Sequence, residues 1–191
     1  MTQRAIETAP SILVPVDFSP ASGEALLFAA QLASCSSLPV VVLHIVHDDA
    51  HRPNLYPRKN DRDRILPLAE IAENMLQDFM TGMREQHPDN AILANAGMMV
   101  VSGLPETRIP EIACRTGAGL IIMGSTGRGT LSKLIAGSVT DSVIRNSPVP
   151  VTVVHANGTV HGTVQIEQAR KPAAAPRDVE TTPYLVSERT G

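Results

Sequence analysis

Apolar and polar positions in this chain follow two alternating rhythms. Short apolar runs, rich in β-branched residues, fall at 12–16, 40–46, 96–101, 120–123 and 151–155. Runs with so few polar interruptions suit strands covered on both faces, as in a parallel sheet. Between them the apolar residues switch to helical spacing. Ala25, Leu26, Ala29, Ala30, Leu32 and Ala33 make one stripe, and Leu68, Ile71, Met75, Leu76 and Phe79 another. The first helix is opened by Ser19 as N-cap with Pro20 at the first helical position, and is predicted to end near Ser36-Ser37. The second is predicted from Ile65 to about Gln86. A short one follows the turn Ser102-Gly103-Leu104-Pro105, and the last runs from Ser138 to about Asn146. Strands alternating with helices require right-handed crossovers, so the pattern predicts a doubly wound α/β domain with a parallel sheet.

Two stretches depart from this pattern. Residues 47–64 are polar, with Pro53, Pro57 and the charge run Asp61–Arg64. Their length is unusual for a connection and predicts a functional flap or a mobile segment. From Ala156 onward the sequence turns to Gly, Pro, Ala, Thr and balanced charge, which cannot bury a core. The chain is therefore divided into a folded domain, 1–155, and a tail, 156–191, expected to lack fixed structure.

Composition narrows the function classes. Hydrophobic residues make up 43% and aromatics only 3%, with no Trp. That yields an aliphatic, Met-rich core and no stacking platform for bases. A net charge of −3 and a pI near 6.0 argue against nucleic acid or an anionic membrane as partner. Cys35 and Cys114 form no CxxC and fall on predicted helices, so they read as buried thiols in a reducing compartment. The first ten residues carry no signal-peptide core and no run has membrane-spanning length, which places the chain in the cytoplasm.

The chemistry concentrates at 119–139. There Gly124-Ser125-Thr126-Gly127 is followed, nine residues on, by Gly137-Ser138, directly after an apolar strand. Glycines at such a turn let backbone N–H groups approach a ligand, and a helix start adds unpaired donors and a positive dipole end. Ser125, Thr126, Thr130 and Ser138 add hydroxyls, and Arg128 and Lys133 add positive charge. The pattern makes an anion cradle fit for phosphate; the alternative is an ordinary βα turn that binds nothing. Asp17, at the end of the first strand, either accepts ribose hydroxyls or satisfies nearby helix N–H groups. Ser138 and Asp141 fit a capping box, to which Asp141 is assigned. His44, His47 and His51 share no fixed scaffold, so no metal site is expected and His44 is read as a core residue. The loop is not a Walker A, and no nucleophile–base pairing, catalytic cysteine or HExxH is visible. No catalytic residue is assigned: the sequence supports binding, not turnover.

Three motifs together give the chain a family likeness. Gly124, Gly127, Gly137 and Ser138 match G-x2-G-x9-G-[ST]; Pro15 to Ser19 match P-x-D-F-S; Leu43-His44-Ile45 match L-H-[VI]. With these, residues 11–155 resemble the ATP-binding branch of the universal stress protein family. The resemblance implies a five-stranded parallel sheet of order 3-2-1-4-5 with helices on both faces. It implies a homodimer joined through strand 151–155, and ATP with Mg2+ held mainly by the phosphates. On the first strands it assigns Pro15, Val16 and Asp17 to the nucleotide, with Asp17 near the ribose and the backbone around Ile45 against the adenine. At the glycine loop it assigns Met123, Gly124, Ser125, Thr126, Gly127 and Arg128, and at the following helix Gly137, Ser138 and Val139.

Two function classes follow. One is a cytoplasmic stress-response regulator that senses ATP, hydrolyses it weakly or not at all, and signals to a protein partner not identifiable from sequence. The other is a slow Mg-dependent ATPase or nucleotidyl transferase using the same cradle.

Overall fold

A computed structural model describes residues 10–47, 67–125 and 138–160, together with the backbone of 161–164 and 184–185. The 47–64 segment beyond His47, the glycine stretch 126–137 and most of the tail lie outside the described residues.

The apolar runs form strands β1 (Ile12–Pro15), β2 (Val40–Val46), β3 (Gly97–Ser102), β4 (Leu120–Gly124) and β5 (Val151–Val154). They are parallel and lie in the spatial order β3-β2-β1-β4-β5, as the family likeness implied. The direction of winding reverses at β1, which pairs with β2 on one side and β4 on the other. Helices α1 (Pro20–Ser36), α2 (Leu68–Gln86) and the five-residue α3 (Ala91–Asn95) serve the core on one face. Helices α4 (Pro105–Thr116) and α5 (Ser138–Asn146) cover the other. The central β1 is fully inaccessible at Ile12, Leu13 and Val14, which is why it reads as an unbroken apolar run.

Ser19 caps α1 as expected, its hydroxyl accepting from the Ser22 N–H at 3.3 Å. Helix α3 was not anticipated from periodicity, being too short to show any. Its signal is local: the Asn90 carboxamide accepts from the N–H groups of Ile92 and Leu93, both at 3.1 Å. Cys35 and Cys114, expected to be buried, are both exposed. Cys114 comes one residue and Cys35 two residues after a buried alanine of the helix's inner stripe, and the helical rotation turns both outward.

The larger departure lies after residue 155. Strand β6 (Val160–Val164) returns antiparallel along β5, pairing Val151 with Val164 and Val154 with Val160, with a register shift between Thr152 and Val153. The two-residue β7 (Tyr184–Leu185) pairs antiparallel with β3 at Met99 and Val100. Among the described residues the sheet therefore has seven strands, ordered β6-β5-β4-β1-β2-β3-β7. Strand β5 is thus not the open edge that a homodimer through strand 151–155 requires. The reason is the turn Asn157-Gly158, a strong hairpin signal flanked by β-branched residues. Gly158 adopts φ +74°, its N–H reaches the His155 carbonyl at 2.9 Å, and the His155 N–H reaches the Thr159 carbonyl at 2.9 Å.

Candidate functional site

The carboxyl ends of β1 and β4 lie side by side where the sheet changes winding direction, the position at which open α/β sheets form their ligand crevice. The chain leaves β1 through Val16-Asp17-Phe18-Ser19. This turn is strained: Phe18 holds φ +61°, a region costly for a bulky residue. Aromatic packing fixes it there, with the His44 ring 4.3 Å from the Phe18 ring and Phe79 at 5.7 Å. The His44 Nδ1 lies 2.8 Å from the Val16 carbonyl oxygen, which requires the Nδ1–H tautomer as donor. Burial pushes the His44 imidazole below its ordinary value of 6.5, opposed by that hydrogen bond and by the Asp17 carboxylate. His44 is thus the core histidine expected from sequence, and it braces the turn that carries Asp17.

Asp17 is half-buried, and its Oδ1 accepts from both the backbone N–H, at 3.1 Å, and the hydroxyl of Ser19. The structural alternative for this carboxylate is therefore real: it fixes the cap residue of α1.

At the end of β4 the structure changes the reason for Gly124. A Cβ there would stand 2.6 Å from the Ala21 carbonyl carbon, 2.7 Å from the Ser22 nitrogen and 2.8 Å from the Ala21 oxygen. The glycine is demanded by the first turn of α1, which presses directly on the β4 backbone. Next to it, Ser125 is buried and doubly tied to β5: its N–H donates to the Val154 carbonyl at 2.7 Å, and its Oγ lies 2.7 Å from His155 Nδ1. Thr126, Gly127, Arg128 and Gly137 lie outside the described residues.

Ser138 opens the described part of helix α5. The Asp141 carboxylate pairs with Arg145 one turn on. The buried Thr140 hydroxyl donates to the Gly124 carbonyl at 3.4 Å, tying the first turn of α5 to the end of β4. That places the positive end of α5 beside the crevice. Ser138 is exposed and Val139 is half-buried there.

The remaining expected residues divide between the two faces of the sheet. Pro15 is buried at the end of β1. Val16 points into the core on the α1 and α2 face, whereas Ile45 and Met123 belong to the core under α4 and α5. Their side chains belong to the two cores of the sheet. Sequence reasoning missed Phe18, Thr140 and His155. The last is found from register alone: Gly124 pairs with Val154, so the next residues, Ser125 and His155, must be neighbours.

Among the described residues no cluster of three or more His, Cys, Asp or Glu is placed to hold a metal, and no helix is long and apolar enough to cross a membrane.

Comparison with known proteins agrees with this fold. A universal stress protein from Methanocaldococcus jannaschii, MJ0577, is 29% identical over 150 residues, covering 75% of this chain and 93% of its own length. A Mycobacterium tuberculosis universal stress protein, Rv1996, is 32% identical over 143 residues, and there the match spans 74% of this chain but only 43% of the relative. A universal stress protein solved in complex with cAMP shares the fold, with a TM-score of 0.52 at 21% identity over 77% of this chain and 97% of that one. The family model for universal stress proteins matches residues 9–155, and the chain belongs to the universal stress protein family.

Proposed function

We propose that this chain binds an adenine nucleotide, ATP with Mg2+ carried mainly by its phosphates, and acts as a cytoplasmic stress-response regulator without appreciable turnover. One observation carries the reading. The end of β4, where Gly124 opens the motif G-x2-G-x9-G-[ST], lies against the end of β1 and the first turn of α5. A phosphate in that corner meets helix N–H donors and dipole, which is the ordinary chemistry of phosphate recognition in α/β proteins. The Asp17 carboxylate, at the end of the neighbouring strand, suits a ribose hydroxyl. Gly127, Arg128 and Gly137 enter the reading through the sequence motif. The fold-level neighbour solved with cAMP is consistent with an adenine nucleotide as the ligand class.

No general base is assigned to activate water, which favours a binder over an ATPase or a nucleotidyl transferase. A homodimer through β5 belongs to this reading only if β6 gives up its place on β5. The test is to purify the protein, release its ligand with acid and identify it, then incubate the protein with Mg-ATP for hours. Bound ATP that stays intact supports the regulator. Steady accumulation of ADP or AMP supports the enzyme, and protein that neither carries nor takes up nucleotide refutes both.

A further inference from the structure

Strand β6 and the candidate site are joined by a short chain of hydrogen bonds that neither role explains alone. Ser125 stands at the point where the chain leaves β4. Its N–H donates to the Val154 carbonyl and its Oγ meets His155 Nδ1, each at 2.7 Å. His155 is also the first residue of the turn that launches β6. Its N–H donates to the Thr159 carbonyl and its carbonyl accepts from the Gly158 N–H, both at 2.9 Å. One serine therefore grips the last residue of β5 and the residue after it, and that second residue closes the hairpin.

Ser125 is 3% exposed, so its hydroxyl needs a partner within the protein, and the imidazole supplies it. An alanine at 155 would leave that hydroxyl without this partner and remove the side-chain half of the link. The backbone half would survive, because the Ser125 N–H bond to Val154 needs no side chain.

We propose that His155 is a positioning residue that clasps Ser125, so that the phosphate side of the crevice and the β5–β6 hairpin move as one unit. This rests on the proposed nucleotide site for its functional half. The structural half stands on the contacts alone. Linkage then runs both ways: ATP held at the end of β4 steadies β6, and loss of β6 weakens ATP by the same factor. The β5 edge, apolar at Val151, Val153 and Val154, is thereby covered most firmly when nucleotide is bound.

The test uses the full chain and two readouts. Hydrogen exchange of the 160–164 amides reports the hairpin, and calorimetry with Mg-ATP reports the site. Without ligand, Ser125→Ala and His155→Ala should each speed exchange of β6 about fivefold, the change expected for one ordinary hydrogen bond. His155→Asn places an amide near the position of Nδ1 and should restore most of the protection. The double variant should be no worse than either single one. With ATP, wild-type β6 should exchange more slowly, and His155→Ala should weaken ATP about fivefold, again with rescue by Asn. Unchanged β6 exchange in Ser125→Ala overturns the clasp. A His155→Ala protein that loses β6 protection but keeps its ATP affinity reduces His155 to a hairpin residue and overturns the coupling. If wild-type protein binds no ATP, the proposed function fails, while the ligand-free exchange still decides the clasp.

Discussion

Gly124→Ala separates packing from ligand approach at the most crowded point of the site. The new methyl carbon would meet three backbone atoms of Ala21 and Ser22 at 2.6–2.8 Å, about 0.6–0.8 Å short of ordinary van der Waals contact. None of them is the flexible end of a side chain. The first turn of α1 has little room to retreat: Ala21 and Ser22 are buried, and Ser22 is held to Ser19 through both its N–H and its hydroxyl. Overpacking costs about 1–3 kcal/mol in general, and rigid backbone on three sides puts this case near about 3 kcal/mol. For a domain of this size that corresponds to a fall of about 6–12 °C in thermal midpoint. Urea denaturation and calorimetry on the ligand-free protein measure it. A loss under about 1 kcal/mol would mean that α1 and β4 are not in backbone contact, and would return Gly124 to a purely ligand-facing role.

Asp17→Ala should weaken ATP more than inorganic triphosphate in calorimetry, because the carboxylate is assigned to the ribose; equal losses for both ligands would remove that assignment. His44 keeps its imidazole neutral in the fold, with a pKa below 6.5, so the unfolded chain takes up a proton first as the pH falls. Stability should be full above about pH 6.5 and decline below it, by at most about 1.4 kcal/mol per pH unit. His44→Asn, which retains a donor for the Val16 carbonyl, should flatten that part of the urea-midpoint profile; an unchanged slope would assign the acid sensitivity to another group. Cys35 and Cys114 should both react with a thiol reagent in the native protein without a preceding unfolding step, and a second thiol released only by denaturant would contradict their exposure.

How much of this was legible in the sequence depends on whether each signal was local. The five parallel strands and four of the helices follow from apolar runs and helical spacing, and the cap at Ser19 and Pro20 from residue chemistry. Strand β6 was equally readable, since Asn157-Gly158 between β-branched residues is a hairpin signal, but the Gly- and Pro-rich composition beyond it carried more weight than two turn residues. Strand β7, two residues on the far edge, has no pattern at all to read. At the site, the sequence singled out Asp17 and Gly124 and left each open between a ligand and a local structural role. Their contacts with Ser19 and the first turn of α1 depend on how β1, β4 and α1 meet, which no spacing encodes. The strain at Phe18 is hidden for the same reason: a phenylalanine does not announce a left-handed backbone, and only packing against His44 and Phe79 sustains it.

The central claim is that a nucleotide sits in the crevice between the ends of β1 and β4, its phosphates over the glycine motif. Calorimetric titration of Mg-ATP into the full chain and into Gly127→Val tests it most directly. A branched side chain at that glycine would intrude where the triphosphate must approach. The account predicts a dissociation constant in the micromolar range, on the order of −8 kcal/mol, for the full chain and a loss of at least about tenfold for the variant. An ATP affinity that is the same in both proteins would place the nucleotide elsewhere, and no binding to either would contradict the account altogether.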